Sequence, residues 1–438
     1  MSSSSESINF SGLGIAPSLL DAVERLKFTE PTPIQRRSIP VAIEGKDLIG
    51  VAQTGTGKTL AFGIPMIQRL AQIKGRGLVV LPTRELAIQV DESLHAIGRS
   101  VGLRTAVLIG GASMYLQHQA LRRKPHIIIA TPGRLIDHLE QRTVDLSDVR
   151  ILVLDEADRM LDMGFAPQIN RILEVVPRQR QTMLFSATMP NAIVAIAQRH
   201  MHLPIRVEIT RSGTTVDKVT QELFFIGKEA KPQLLETLLN QIPGPALVFT
   251  RTKYGAKKLA RQVKTMGCTA ADIHSNRSLA QRREALEGFK SGKYRVLVAT
   301  DIAARGLDVS GIELVVNYDL PSNPEDYVHR IGRTARAGRT GRAVSFATFD
   351  QRGDVRDIER LIRVALPISA LPTLAPARRL PAPTTFYPHP IHRRQPLVSP
   401  PSHRPPRHRP PHHGHRPSHP VRRQERPAHE ADHYATKF

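Results

Sequence analysis

The sequence predicts an α/β fold with two parallel-sheet domains in tandem, followed by a disordered basic tail. Short apolar, β-branched runs alternate with amphipathic helical stretches through the first 365 residues. Strands that are apolar on both faces are typical of parallel sheets covered by helices. The runs fall into two series, and the composition changes sharply at Leu366.

Each element of this prediction rests on a local pattern. The polar stretch Arg206–Lys218 carries Gly213 and separates the two series, so we place a linker at 208–218 between domains 1–207 and 219–365. Helical spacing of apolar residues marks Pro33–Ile43, Leu86–Ile97 and Ala256–Lys264. The predicted strands are Leu48–Ala52, Leu78–Leu81, Ala106–Ile109, Ile127–Ala130, Ile151–Leu154, Met183–Phe185, Ala246–Phe249, Val296–Ala299, Leu314–Val316 and Val344–Phe346.

The overall charge points to a polyanionic partner. The chain has 62 Lys and Arg against 39 Asp and Glu, a net charge of +23, which suits nucleic acid or an anionic membrane surface. A membrane-surface protein would carry a basic amphipathic helix, and none stands out. The single cysteine, Cys268, excludes a disulfide-stapled scaffold and a multi-cysteine zinc site. Without an apolar span or a signal-peptide pattern, we expect a cytoplasmic protein with no membrane partner.

The tail, residues 366–438, has a composition that cannot build a core. It contains 17 Pro and 10 His, with 12 Lys and Arg against 3 acidic residues, a net charge of +9. We expect it to be disordered with polyproline character. Its arginines suit an electrostatic tether to nucleic acid. Two alternatives stay open: a ligand for a polyproline-binding partner, and adventitious metal binding by His412, His413 and His415.

A phosphate-binding loop is predicted at Ala52–Thr59, which follows a strand and precedes a helix. Glycines let backbone N–H groups approach the phosphates, Lys58 reaches the β- and γ-phosphates, and Thr59 holds Mg²⁺. Ala52 stands where the usual pattern has glycine, and an ordinary glycine-rich turn is the alternative. The predicted nucleotide-binding residues here are Thr54, Gly55, Thr56, Gly57, Lys58 and Thr59.

An acidic quartet follows the buried strand Ile151–Leu154. Carboxylates at the carboxyl end of a parallel strand face the ligand crevice. Asp155 is predicted to hold Mg²⁺, and Glu156 to face the attacking water as general base. A solvated turn is the alternative for the quartet taken alone. Together with the glycine-rich loop, however, it predicts hydrolysis of a nucleoside triphosphate.

In one-letter code residues 155–158 read DEAD, and the chain resembles the DEAD-box ATP-dependent RNA helicases of superfamily 2, most of all the bacterial E-type helicases. The resemblance covers about residues 8–365, with the family motifs in order. It implies two RecA-like domains, ATP and Mg²⁺ as ligands, RNA as partner in a ribosomal or messenger ribonucleoprotein, and RNA-dependent ATPase and helicase activity. It also implies that Gln35 reads adenine, that Phe28 stacks on the base and that Phe10 closes over it.

Several strand-end segments carry the predicted RNA contacts. Backbone amides at helix starts and arginine side chains suit phosphate oxygens, although the segments at 82–87, 110–111 and 131–134 are each, taken alone, better explained as a turn or helix cap. The resemblance assigns contacts with the sugar-phosphate backbone to Thr83, Arg84, Gly110, Gly111, Thr131, Arg134, Arg251, Arg282 and Thr300. It assigns coupling between hydrolysis and strand separation to Asp158, Ser186, Thr188 and His329.

The second domain has no phosphate loop, so it must contribute differently. Arginines recur every three residues at Arg330, Arg333, Arg336 and Arg339, and a solvated basic face is the alternative explanation. A triphosphate site needs cations for its developing charge, a role that suits arginine. The resemblance makes Arg333 and Arg336 the fingers that reach across the cleft, and Asp301 the ribose contact.

Three residues depart from the family pattern. Lys27 and Ala335 stand where glycine is usual, and both changes are expected to be mild, with Lys27 pointing to solvent. Leu279 replaces a glutamine, which is expected to weaken an RNA or inter-domain contact. Because of Leu279, an ATP-gated RNA clamp or annealing module with little unwinding is an alternative function. A DNA helicase is another, since the sequence does not prove recognition of the 2′-hydroxyl.

Overall fold

The computed structural model describes residues 9–53, 55–209, 219–304, 309, 311–335 and 340–374. Two α/β lobes result, lobe 1 (9–209) and lobe 2 (219–374), within one compact unit. Thr54, Arg336, most of the predicted linker and the tail beyond residue 374 lie outside the described residues.

Lobe 1 is built on a seven-stranded parallel sheet. Its strands are β1 (Leu48–Val51), β2 (Arg76–Val80), β3 (Thr105–Leu108), β4 (Ile127–Ala130), β5 (Val149–Leu154), β6 (Gln181–Ser186) and β7 (Ile205–Glu208). They are ordered β3-β4-β2-β5-β6-β1-β7. The helices are α1 (Pro17–Arg25), α2 (Pro33–Ile43), α3 (Lys58–Leu70), α4 (Arg84–Gly98), α5 (Met114–Arg122), α6 (Pro132–Glu140), α7 (Ala157–Asp162), α8 (Ala166–Val175) and α9 (Asn191–His200).

Lobe 2 has a six-stranded parallel sheet. Its strands are β8 (Val219–Phe225), β9 (Ala246–Phe249), β10 (Ala270–Ile273), β11 (Val296–Ala299), β12 (Leu314–Asn317) and β13 (Gly341–Ala347). They are ordered β10-β11-β9-β12-β13-β8. The helices are α10 (Lys231–Gln241), α11 (Lys253–Thr265), α12 (Leu279–Lys290), α13 (Asp301–Ala304), α14 (Pro324–Ile331) and α15 (Arg352–Ile362).

Alternation along the strands divides each lobe into two hydrophobic layers. In β5, Ile151 and Val153 join the cluster on one face of the sheet, while Leu152 and Leu154 join the cluster on the other. Side chains of successive strand residues point to opposite faces, so a fully apolar strand fills both layers at once. This burial confirms the predicted class of two parallel sheets covered by helices.

Two predicted boundaries shift in the structure. Strand β7 occupies the start of the stretch predicted as linker and pairs in parallel with β1. At the other end, Leu366 is buried in the core of lobe 2, although the tail was expected to begin there. The packing of Leu366 therefore extends the ordered lobe beyond residue 365.

The segment after α15, residues 366–374, forms a strap across the free edge of β8. The amide of Leu223 donates to Pro367 O at 2.9 Å, and the amide of Ser369 donates to Leu223 O at 2.9 Å. Leu366 packs in one hydrophobic layer of lobe 2 and Leu374 against the other. The strap thus passes from one face of the sheet to the other around its edge.

Among the residues that the structure describes, no helix has the length and apolar character needed to cross a bilayer.

Candidate nucleotide and RNA site

The phosphate-binding loop lies between β1 and α3, as predicted. Lys58 is 6 % exposed, and its ammonium donates to Ala52 O at 3.1 Å and lies 3.8 Å from Asp155 Oδ1. Gly57 has φ 89°, a left-handed conformation that favours glycine. A Cβ at Gly57 would overlap the amide of Gln35. The loop therefore places a buried cation beside a carboxylate, at the start of a helix whose free N–H groups suit an anion.

Gln35 connects this loop to the start of α2. Its Oε1 accepts from the Thr32 amide at 2.9 Å, which completes a capping box, and its Nε2 donates to Gly57 O at 3.0 Å. Phe28 is 44 % exposed and lines a cleft of about 660 Å³ together with Gln35, the loop and Asp155. Phe10 instead lies in the hydrophobic core of lobe 1, so its predicted contact with the base has no support in the structure.

The acidic quartet begins where β5 ends. Asp155 is buried, and burial with the neighbouring Glu156 raises the pKa of Asp155 to about 6, against the lowering effect of Lys58. Glu156 is 2 % exposed and has φ 53°. This left-handed turn costs a non-glycine residue about 1–2 kcal/mol. At this end of the sheet the carboxylates have different partners: Asp155 lies near Lys58, and Glu156 pairs with Arg159.

Asp158 joins the quartet to the end of β6, the strand between β5 and β1. Its Oδ2 accepts hydrogen bonds from the Thr188 hydroxyl at 2.9 Å and from the amides of Thr188 and Ala187 at 2.8 and 3.1 Å. The Ser186 hydroxyl instead accepts from the backbone amide of Asp158 at 3.2 Å. Of the two hydroxyls, therefore, only that of Thr188 binds the Asp158 carboxylate. The coupling role of these residues stays a prediction.

Arg159 links the two lobes and was missed by the sequence analysis. It is 1 % exposed, and its Nη1 donates to Glu156 Oε2 at 2.9 Å while its Nη2 lies 3.2 Å from His329 Nδ1. A signal existed, because Arg159 follows Glu156 at the i,i+3 spacing of a helical ion pair. The partner in lobe 2 had no local signal.

A second link joins α4 of lobe 1 to α12 of lobe 2. Arg282 Nη2 donates to Glu85 Oε2 at 2.8 Å, and both residues are buried. One turn earlier in α12, Leu279 packs against the hydrophobic cluster of lobe 1. Arg282 thus lies at an inter-lobe contact, and its predicted RNA contact is untested. The leucine that departs from the family pattern provides an apolar contact between the lobes.

The two described members of the arginine series, one in α14 and one just after it, do not form a solvated face. Arg330 is 1 % exposed, forms a two-bond ion pair with Asp301 at 2.5 and 2.7 Å, and lies 5.0 Å from the Phe249 ring centre. Arg333 is 3 % exposed and donates to His329 O at 3.2 Å. The Asp301 carboxylate is therefore already paired with the Arg330 guanidinium. Its predicted contact with the ribose stays a prediction. Arg336 and Arg339 lie outside the described residues.

The predicted RNA contacts of lobe 1 converge on one loop. Arg84 lies directly against Gly110 and Gly111, since a Cβ at either glycine would press on its guanidinium. Arg134 Nη1 donates to Ala112 O at 3.1 Å. Thr83 caps α4 by accepting from the Leu86 amide at 3.3 Å, as the structural alternative predicted. Two cations and a glycine turn at one sheet edge can hold successive phosphates.

Three further predicted contacts are dispersed. Thr131 is the N-cap position of α6 and is buried. Arg251 is exposed, and its Nη2 donates to Leu320 O at 3.3 Å. Thr300 begins the turn into α13, and its amide donates to Ile273 O at 3.3 Å. No contact in the structure tests their predicted roles.

A buried histidine fixes α5 beside this loop and makes stability depend on pH. His138 Nε2 lies 3.2 Å from Gln117 Oε1, and Gln117 Nε2 donates to Ile109 O at 3.0 Å. Burial, then Arg134, lowers the pKa of His138 against the opposing Asp137, with His118 also lowering it.

The unfolded chain therefore takes up the proton of His138 first. We expect the free energy of unfolding to fall as pH drops below about 6.5, by at most about 1.4 kcal/mol per pH unit. Urea unfolding of the wild type and H138Q from pH 7.5 to 5 measures this. A difference between the two proteins that does not change with pH would contradict it.

The comparisons with known proteins agree with this geometry. Residues 32–196 match the DEAD/DEAH box helicase family, and residues 230–338 match the helicase conserved C-terminal domain. The ATP-dependent rRNA helicase RRP3 of Debaryomyces hansenii is 45 % identical over 372 residues, which cover 84 % of this chain and 78 % of that protein. The DEAD-box ATP-dependent RNA helicase CshA of Geobacillus kaustophilus is 46 % identical over 369 residues, covering 83 % and 79 %.

Solved structures show the same architecture. S. cerevisiae Dbp5 bound to RNA and ADP BeF3 has a TM-score of 0.73 at 29 % identity, covering 82 % of this chain and 95 % of that one. Mss116p bound to ssRNA and AMP-PNP has a TM-score of 0.76 at 28 % identity, covering 83 % and 80 %. The predicted RecA-like tandem is thus confirmed, while the likeness to bacterial E-type helicases stays a prediction. With its two lobes, its acidic quartet and these relatives, the chain belongs to the DEAD-box ATP-dependent RNA helicases.

Proposed function

We propose that this enzyme separates short RNA duplexes by closing lobe 2 on lobe 1 around ATP and RNA, and reopens after hydrolysis. The observation that carries the proposal is the contact of Arg159 with Glu156 in lobe 1 and with His329 in lobe 2. Through it, the group assigned to hydrolysis is connected to the helix that leads to Arg333. Closure would then complete a site that neither lobe holds alone.

The residues of the loop and the quartet fit Mg²⁺. A hydroxyl on Thr59 and a carboxylate on Asp155 are hard oxygen donors, and few protein ligands suffice because Mg²⁺ keeps several waters. The raised pKa of Asp155 marks a buried carboxylate that a cation would stabilise. When held by Thr59 and Asp155, Mg²⁺ would neutralise the negative charge of the phosphates.

The chain's own groups supply the remaining steps. Lys58 would move from Ala52 O to the β- and γ-phosphates. Glu156 would accept the proton of the attacking water, while Arg159 donates a hydrogen bond to Oε2 of the same carboxylate. Arg333 would stabilise the charge that develops on the γ-phosphoryl group.

The ion pair between Glu85 of lobe 1 and Arg282 of lobe 2 is compatible with reopening of the cleft between the lobes. Glu85 Oε1 and Arg282 Nε are buried without a hydrogen-bond partner among the described residues. A buried ion pair that is incompletely hydrogen-bonded adds little net stability, since desolvation offsets the attraction. Leu279 adds an apolar contact, so the alternative of a clamp that closes without unwinding remains open to test.

Steady-state ATP hydrolysis with and without single-stranded RNA, with matching DNA as control, tests the proposal. Strong stimulation by RNA, none by DNA, and separation of a short RNA duplex would support it. RNA-stimulated hydrolysis without strand separation would favour the clamp. Equal stimulation by DNA would favour a DNA helicase. We further propose that the protein is cytoplasmic, is bacterial and acts on a ribosomal or messenger ribonucleoprotein.

The tail is expected to tether RNA electrostatically. A chain ending at Leu374 keeps the strap but loses 12 basic and 3 acidic residues. We expect weaker RNA binding and a salt dependence shallower by about 0.7 in log–log slope for each lost phosphate contact. Fluorescence anisotropy from low to high salt measures both quantities.

A full-length variant with the tail arginines changed to glutamine is the control. It keeps the prolines, so it should behave like the truncated chain if charge is responsible. Unchanged affinity and slope in the truncated chain would refute the tether.

A further inference from the structure

Tyr115 is an exposed aromatic residue that the functions above leave unused. Four aromatic side chains of the described residues are exposed: Phe28, Tyr115, Tyr254 and Phe349. Phe28 lines the nucleotide cleft, Phe349 stacks on another phenylalanine at 5.8 Å, and a lysine ammonium lies 5.3 Å over the Tyr254 ring. Tyr115 is 67 % exposed, and no ring or cation of the described residues contacts its ring.

The position of Tyr115 is fixed beside the proposed phosphate contacts. It is the second residue of α5, whose N-cap Ser113 accepts from the Leu116 amide at 3.5 Å. It follows Gly111 by four residues, so the two Cα atoms lie within about 15 Å. Gly111 packs against Arg84, one of the two arginines that meet at this loop. The helix that follows this turn therefore carries an exposed ring within about 15 Å, Cα to Cα, of the place where the RNA backbone is expected to lie.

The helix also holds this ring on a rigid base. Gln117, two residues further, is buried and donates to Ile109 O at 3.0 Å, at the end of the strand that leads into the glycine turn. The start of α5, which carries Tyr115, is thus tied to the phosphate-binding turn. Tyrosine has only two side-chain torsions, so it loses little conformational entropy when a base stacks on it.

We propose that Tyr115 stacks on an RNA base adjacent to the backbone held by the Gly110–Gly111 turn, which rests on the proposed RNA function. Backbone contacts fix phosphates but leave the bases free. Every base has a π-face, so a stacking ring adds affinity without demanding a sequence. Tyr115 would then be a base-binding residue in a site otherwise made for the sugar-phosphate backbone.

Abasic RNA separates base stacking from backbone binding. We would measure affinity for a short single-stranded RNA, and for the same strand with each nucleotide in turn made abasic, in the presence of AMP-PNP. For intact RNA, Y115A should bind about 5- to 100-fold more weakly than the wild type. Y115F should retain wild-type affinity. For the wild type, one abasic position should reproduce the loss, and Y115A should show no further loss there.

Leu116 provides the matched control. It is 62 % exposed on the next position of α5 and points about 100° away around the helix. L116A should leave both affinities unchanged, and thermal unfolding of each variant checks that the fold is intact.

A fluorescent reporter gives a second readout. The sequence contains no tryptophan, so Y115W carries a single indole at the proposed stacking position. Its emission should be quenched by intact RNA and recover with the strand that is abasic at the position found above.

The outcomes distinguish this proposal from the function on which it rests. A wild type that neither binds RNA nor hydrolyses ATP in its presence would overturn the proposed function. A wild type that binds RNA, with Y115A equal to it on every strand, would overturn the stacking proposal alone. An equal loss by Y115A at every abasic position would also overturn it, because the ring would then act through the backbone site.

Discussion

Glu156→Gln should lower kcat for ATP hydrolysis about 10²- to 10⁴-fold while leaving ATP and RNA binding near wild-type levels. Glutamine keeps the size and an acceptor oxygen for Arg159, but it cannot take a proton from water. The carboxylate of Glu156 is buried, and Arg159 donates to it at 2.9 Å. Bulk water therefore cannot replace it as the proton acceptor. Single-turnover hydrolysis with saturating RNA measures the chemical step.

The control for this change is Glu156→Asp. Aspartate retains the charge but is one methylene shorter, so some hydrolysis should survive. Thermal unfolding shows whether either variant has lost its fold, since breaking a buried ion pair can cost about 3–5 kcal/mol. Unchanged hydrolysis in the glutamine variant would remove Glu156 from the role of general base.

Arg159→Ala should uncouple the lobes and lower the RNA-stimulated rate about 10²-fold, the cost of misplacing a catalytic group by about 1 Å. The substitution removes one partner of Glu156 in lobe 1 and of His329 in lobe 2. Nucleotide binding should change far less, because Lys58 and the glycine loop remain. The ratio of RNA-stimulated to basal hydrolysis is the quantity to measure.

A double-mutant cycle separates this effect from simple loss of stability. If Arg159 acts by holding His329, the combined Arg159→Ala and His329→Ala change should cost little more than either change alone. Arg159→Lys keeps the charge but lacks the two guanidinium nitrogens that reach both partners. Compared with Arg159→Ala, it should recover more of the thermal stability than of the RNA-stimulated rate. Fully additive effects would show that the contact between the lobes does not matter for catalysis.

The strands that the sequence analysis missed have a common physical cause. All ten predicted strands occur, but β7, β8 and β10 were not foreseen. Each of the three lies at an edge of its sheet. An edge strand has a partner on one side only and can carry polar residues, such as Asp272 in β10. A search for fully apolar runs finds buried central strands and overlooks these.

The site was predictable where its chemistry is local. The glycine loop, the quartet and the Asp158 contacts follow from short segments that a parallel sheet brings to one edge. Contacts that cross the lobes, such as Glu85 with Arg282, join residues 197 positions apart, and no local pattern marks them. They require knowing how two folded lobes meet.

The backbone conformation explains why glycine is usual at two of the positions that depart from the family pattern. Lys27 and Ala335 have φ values of 61° and 55°, in the left-handed region where glycine carries no steric penalty. Lys27 is exposed, as predicted. The sequence shows only that glycine is absent at these two positions, whereas the positive φ values show the reason that glycine is usual at them.

The strap along β8 also covers an edge that could otherwise pair with another chain. An open edge strand offers unpaired N–H and C=O groups to any other chain and invites sheet-to-sheet aggregation. The strap occupies those groups at Leu223 and brings Pro367, which has no N–H to donate onward. The last residues of the ordered lobe thus close off a surface on which a second copy would otherwise pair.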